Sequence, residues 1–278
     1  VNGQVIGTAT RESAPALDNF NKFYKSEVWT LSYMKPVQKI DENGNAAVDE
    51  SGAPVYENVA VNDRVCAINL PGGAMKLYGK RIPVEEAMET ARLDLVYYRE
   101  SQGGVTLSGG EPLMQPEFSL AFLEALKREK IHTAFDTSCF GSQEVLKEAL
   151  PLVDLFLVDF KHADPEVHRK LTGQSNERIL ENLRFLSEKG ARIEIRIPFV
   201  PGCNDSVENL EATGRILGSL RGILCVKLLP YHALARTKYA SLGMPDTMPQ
   251  ADSPDDDALH RAAAVLERFG LRARSGRE

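Results

Sequence analysis

Five groups of polar residues punctuate this chain, each within or directly after a short apolar run: Ser108-Gly109-Gly110-Glu111, Asp136-Thr137-Ser138, Asp159-Phe160-Lys161-His162, Arg196 followed by Pro201-Gly202, and Pro230-Tyr231-His232. The first leaves main-chain amides and carbonyls unscreened, so a small polar ligand would lie directly against the Gly109-Gly110 turn with Glu111 at its edge. The others contribute two acids, Asp136 and Asp159, and three bases, Lys161, Arg196 and His232. Acid–base work by Asp136, Asp159 and His232 is a lesser alternative. Each group also has a plain structural use. Gly109 and Gly110 can simply close a strand-to-helix turn, Asp136 can cap the next element, and Asp159 can pair with Lys161 along the extended chain. Arg196 can pair with Glu194 or Asp159, and His232 can be structural.

What turns five separate features into one candidate site is the set of elements that must carry them. From Pro83 onward the pattern alternates between helix and strand. Helices are predicted at 84–100, 118–130, 143–149, 165–171, 177–189, 207–217 and 255–269, and strands at 105–107, 132–136, 155–159, 193–200 and 223–229. Residues 4–8 offer a further strand, and 11–25 a loop or weak helix. Strands alternating with helices indicate a parallel sheet with crossover connections, whose carboxyl ends converge on one face. The strands are too few for a closed eight-stranded barrel. The expected fold is an α/β, incomplete (β/α)6-type parallel barrel with an irregular N-terminal segment and an insertion. Residues 39–62, rich in Asp, Glu, Asn and Gly, read as a hairpin-like insertion, with disorder as the competing view.

Composition bounds the function. A net charge of −6 with scattered basic residues argues against a phosphate-gripping nucleic-acid protein. No window is apolar enough to cross a membrane, and the first residues lack the pattern of a signal peptide, so a cytoplasmic location is expected. The four cysteines, Cys66, Cys139, Cys203 and Cys225, are too far apart in sequence to announce a zinc or redox site, and no metal ligand is assigned from the residues themselves.

With these residues in place, the chain resembles the radical S-adenosylmethionine enzymes that activate glycyl radical enzymes, the pyruvate formate-lyase activating enzyme family. The likeness runs from about Gly79 to about Met244 and rests on six ordered motifs: Tyr97 to Leu113 around Ser-Gly-Gly-Glu-Pro, Phe-Asp-Thr-Ser at 135–138, Leu-Val-Asp-Phe-Lys at 157–161, Leu-Thr-Gly-Gln-Ser-Asn at 171–176, Ile-Arg-Ile-Pro-Phe-Val-Pro-Gly at 195–202 and Leu-Leu-Pro-Tyr-His at 228–232. The resemblance implies S-adenosylmethionine as cofactor, held by Gly109, Gly110, Glu111, Asp136, Asp159, Lys161, Arg196 and His232. It also implies a [4Fe-4S] cluster, a glycyl radical enzyme such as a formate acetyltransferase-like protein as partner, and an electron donor such as flavodoxin.

In that family a C-x-x-x-C-x-x-C loop holds the cluster. Here an alignment through Lys25-Ser26-Glu27 puts Leu17, Asn21 and Tyr24 at the ligand positions, and none of them is a thiolate. Val65 to Met75 resembles the end of a ferredoxin-like insertion in which Cys66 persists and Leu70 replaces a cysteine. The expected division is 1–28 for the first strand and altered cluster loop, 29–80 for the insertion remnant and 81–278 for the partial barrel. Two readings stay open: an activase that cleaves S-adenosylmethionine reductively, or a cluster-less relative that binds S-adenosylmethionine, a glycyl radical enzyme, or both.

Overall fold

The computed structural model of the chain describes residues 7–12, 25–38, 55–69, 82–236 and 246–276. It separates into two compact units, Val1–Arg81 with Ala233–Met248, and Ile82–His232 with Pro249–Glu278. In the first, β1 (Gly7–Glu12), β2 (Lys25–Gln38) and β3 (Tyr56–Asn69) form an antiparallel sheet in the order β1-β2-β3. β2 and β3 pair along their whole length, from Lys25 opposite Asn69 to Gln38 opposite Tyr56. A hairpin is therefore present, but only one arm overlaps the polar stretch expected to form it: β2 ends at Gln38, before that stretch begins, whereas β3 starts within it at Tyr56 and runs on past its end to Asn69. The acid- and glycine-rich residues 39–54 connect the arms and lie outside the described residues, as do Leu17, Asn21, Tyr24 and Leu70.

The second unit is built on six parallel strands: β4 (Gly104–Leu107), β5 (His132–Thr137), β6 (Leu155–Asp159), β7 (Ile193–Phe199), β8 (Ile223–Pro230) and β9 (Ala273–Ser275). Their spatial order follows the chain, β4-β5-β6-β7-β8-β9, and the sheet is open. Eight helices belong to this unit: α1 (Val84–Leu93), α2 (Leu95–Ser101), α3 (Pro116–Arg128), α4 (Gln143–Ala149), α5 (Pro165–Thr172), α6 (Glu177–Glu188), α7 (Val207–Gly218) and α8 (Asp256–Glu267). This is the expected incomplete barrel, with one correction. The strand offered at 4–8 does not join it: the described part, β1, pairs antiparallel with β2, and the sixth strand is β9. One helix expected over 84–100 is two, because the chain leaves helical geometry at Asp94 (φ −103°, ψ 10°), a weak helix former between two leucines.

Side chains alternate across each strand, so the register decides which face each meets. One face carries Leu107, Phe135, Phe156, Val158, Ile193, Ile195, Ile197, Phe199, Val226 and Leu228, all buried. Leu123 and Leu126 of α3, Leu183 and Leu186 of α6, Leu217 of α7 and Leu259 and Leu266 of α8 join them in one continuous core. Burying side chains of this size stabilises by about 1.5–3 kcal/mol each before chain entropy is counted. The opposite face carries most of the charge. That asymmetry makes one side of the sheet scaffold and leaves the other for chemistry.

The polar face and its carboxyl-end loops

In the register of the parallel ladder Asp136 lies opposite Leu157, Leu157 opposite Glu194, and Glu194 opposite Cys225. Two residues further along each strand, Asp159 lies opposite Arg196, Arg196 opposite Lys227, and Lys227 opposite Arg274. With a side-chain period of two, all of these share the face away from the helices. Asp136 and Asp159, expected to line one pocket, lie on the same face of the sheet. Arg196 reaches back across the sheet to Asp136, with Nη1 3.2 Å from Oδ2, while Ser108 Oγ donates to the same carboxylate oxygen at 2.8 Å. Lys161 and Asp159 pair at 2.9 Å. Arg196 also lies beside Glu194, the other partner expected for it, with Nε 3.5 Å from Oε1. Its remaining expected partner, Asp159, is taken by Lys161.

The turn after β4 is bound to the turn after β5 through one carboxylate. Glu111 Oε1 accepts from Thr137 Oγ1 at 2.6 Å and from the Leu113 amide at 3.1 Å, and Oε2 accepts from the Ser138 amide at 2.8 Å and from Ser138 Oγ. Glu111 is thus a brace between two loops as well as the N-cap of the short 3-10 turn Pro112–Met114. Gly109 has φ +132°, a conformation that only glycine adopts readily. A Cβ built at Gly109 or Gly110 would meet nothing within 4 Å, so both positions face open space. His232, exposed, follows β8 at the same end of the sheet. Among the described residues no hydrogen bond or ion pair ties its side chain to the other seven.

The loops that carry these groups are held by four buried asparagines that sequence reasoning did not single out. Asn204 Nδ2 donates to the carbonyls of Lys161 and Pro198 at 2.9 and 2.8 Å, and its Oδ1 accepts from the Val200 amide at 2.8 Å. Asn209 accepts from the Ala163 amide and donates to the Asn204 carbonyl. Asn176 donates to the carbonyls of His162 and Ala163, and Asn182 to those of Cys139 and Gly141. Main-chain groups that leave a sheet still need partners, and a side-chain amide can satisfy two at once. Asn176 closes the motif Leu-Thr-Gly-Gln-Ser-Asn quoted above, and Asn204 stands just after Ile-Arg-Ile-Pro-Phe-Val-Pro-Gly, so the signal was present. What it encodes is the position of Lys161.

Among the described cysteines, Cys139 is fully buried at the end of β5, where burial and the charges of Glu111 and Asp159 push its thiol far up, away from the thiolate form. Cys225, buried in β8, is likewise raised, first by burial and then by Glu194. Cys203 lies in the loop after β7. A separate cavity of about 330 Å³ lies at the opposite, amino-terminal ends of the strands, where His132, Asp154, Lys189 and Arg192 line it. None of the eight candidate residues borders it.

A family model described as the radical SAM superfamily matches residues 66–212. The (2S)-3-sulfopropanediol dehydratase activating enzyme of Klebsiella oxytoca is 43% identical over 180 residues, 64% of this chain and 57% of that protein. The pyruvate formate-lyase 1-activating enzyme of Escherichia coli K12 is 33% identical over 69% of this chain and 79% of its own length. Among solved structures, a domain of the pyruvate-formate lyase-activating enzyme from Bacteroides vulgatus superposes with a TM-score of 0.54 at 32% identity, over 63% of this chain and 99% of that one. The chain spans little more than half the length of the Klebsiella relative.

Proposed function

We propose, from the premise that this chain belongs to the radical SAM superfamily and within it to the activating enzymes of glycyl radical enzymes, that its polar sheet face binds S-adenosylmethionine and that its target is a glycyl radical enzyme. The observation that supports this most is the meeting of the open Gly109-Gly110 turn with Asp136, Asp159, Lys161 and Arg196 on one face. The donor set fits the molecule. Exposed main-chain groups at the turn suit its ammonium, Asp136 and Asp159 favour its positive charges, and Lys161 and Arg196 favour its carboxylate. His232 would close the pocket from the end of β8. Leu157, buried between the two acids, supplies apolar surface against the ligand.

When bound, S-adenosylmethionine supplies the deoxyadenosyl group that these enzymes use as a hydrogen-abstracting radical. The chain's own residues bind and orient it, and Glu111 and the asparagines fix the loops that do so. The [4Fe-4S] cluster of the family is a different matter. A cluster takes three thiolates in one loop, and the 278 residues contain four cysteines in no C-x-x-x-C-x-x-C spacing. Among the described residues no group of three His, Cys, Asp or Glu is placed to hold a metal ion. These residues do not fit the cluster.

That mismatch favours a second reading, a relative that binds S-adenosylmethionine or docks on a glycyl radical enzyme without radical chemistry. Iron and sulfide analysis after anaerobic reconstitution separates the two: a stoichiometric cluster supports the activase, and none supports the second reading. For the shared claim the measurement is calorimetric. Wild-type chain should bind S-adenosylmethionine, and the double variant Asp159→Ala, Arg196→Ala should bind it at least about tenfold more weakly, since each removed charge is worth on the order of 1–3 kcal/mol. Equal heats for the two would overturn the assignment.

A further inference from the structure

Arg196 is held from two sides, by Asp136 at Nη1 and by Glu194 at Nε. On the far side stands Glu194, whose side chain is 10% exposed. Its Oε1 lies 3.5 Å from Arg196 Nε and 3.3 Å from Lys227 Nζ, and its Oε2 lies 3.8 Å from Arg274 Nη2 and within reach of the Cys225 thiol at 3.4 Å. Glu194 Oε1 and Arg196 Nε are both buried and without a hydrogen bond, so charge rather than hydrogen-bond geometry links them. A buried carboxylate survives where cations surround it, and removing it would leave three cations on neighbouring strands, about 4.8 Å apart, facing one another.

We propose that Glu194 is a positioning residue for the ligand-binding face: with Lys227 and Arg274 as its counter-ions, it sets the guanidinium of Arg196. Asp136 fixes one end of that group and Glu194 the Nε edge, which leaves the Nη2 edge to meet an incoming carboxylate. Lys227 and Arg274 have no place in the ligand contacts. Their part is to make a buried anion tolerable at the base of Arg196. The ligand in this inference rests on the reading above, whereas the geometry of Arg196 does not.

The test is Glu194→Gln, which keeps shape and removes charge. In the ligand-free chain, the Nε–H signal of Arg196, identified by its loss in Arg196→Ala, should be protected from exchange in the wild type, where Nε is buried beside the carboxylate, and exposed in Glu194→Gln, where repulsion from Lys227 and Arg274 is no longer offset and displaces the guanidinium. S-adenosylmethionine should bind about tenfold more weakly to the variant, the loss typical when the group that orients a ligand-binding side chain is removed. Methylthioadenosine, which lacks the amino-acid part, should bind as before. In an Arg196→Ala background the same substitution should cost nothing further. If the single variant fails to fold, Glu194→Gln with Lys227→Met removes a cation together with the anion and should give the same pattern. An unchanged Arg196 signal, or an equal loss for both ligands, or a full further loss in the Arg196→Ala background, would overturn the proposal. Failure of the wild type to bind S-adenosylmethionine would overturn only the function, because the exchange measurement needs no ligand.

Discussion

Replacing Glu111 probes the brace on which the candidate site stands. Its carboxylate accepts four hydrogen bonds, two on each oxygen, from Thr137, Leu113 and Ser138. Glu111→Gln preserves Oε1 with its Thr137 and Leu113 donors and turns Oε2 into an amino group. The Ser138 hydroxyl can rotate to accept from that group, but the Ser138 main-chain N–H cannot, so one amide is left facing a donor. Leaving one partly buried donor unmade costs about 1–3 kcal/mol. Glu111→Ala loses that bond, the Thr137 bond and the cap of the Pro112–Met114 turn, itself worth about 0.5–2 kcal/mol, so the total should approach about 4 kcal/mol. Denaturant unfolding followed by far-ultraviolet circular dichroism reads this directly, since helices α1 to α8 belong to the unit containing Glu111. Hydrogen exchange at Ser138 should rise in both variants. If Glu111→Gln stays within about 0.5 kcal/mol of wild type, the size of an ordinary surface substitution, the brace is not what holds the two turns together.

Three further outcomes are expected. Gly109→Ala should destabilise by about 1–3 kcal/mol because of its φ of +132°, whereas Gly110→Ala, with open space and no such constraint, should leave the melting temperature unchanged while weakening S-adenosylmethionine binding; equal behaviour of the two would refute the distinction. Asn204→Ala, which strips three partly buried hydrogen bonds from the loops after β6 and β7, should cost about 2–4 kcal/mol and raise exchange around Lys161, and a neutral result would show that the loops are held otherwise. Asp154 anchors the start of β5; burial pushes its pKa up, but the Lys127 ammonium and the Thr133 amide and hydroxyl outweigh it and hold the group below the usual carboxylate range. A carboxyl depressed in the folded state contributes stability above its unfolded pKa of about 4 and loses it as pH falls through the folded value. Asp154→Asn should therefore be less stable than wild type near pH 7, with the gap closing on acidification, and a gap independent of pH would refute the ion pair's role.

The elements that were legible in the sequence are those whose apolar pattern is dictated by the core. β6 and α4 have the limits their sequences predict, because each apolar run is bounded by an acid or a turn. β9 was not legible: Ala-Arg-Ser has no apolar run, and it becomes a strand only because Val226 and Leu228 of β8 present free ladder groups to it. The same limit applies to the site. Arg-Ile-Glu-Ile-Arg-Ile states by its period of two that Glu194 and Arg196 share a face, yet it cannot say that Lys227 and Arg274 arrive beside them from strands thirty and eighty residues on. Nor can it say that Glu111 spends its oxygens on the neighbouring loop. The acids and bases that a ligand would meet were visible as types at strand ends, whereas the groups that aim them were not. Aiming is a property of register, and register follows from which face the core claims: here the isoleucines of β7 take the helix side and thereby turn Glu194 and Arg196, together, toward the other.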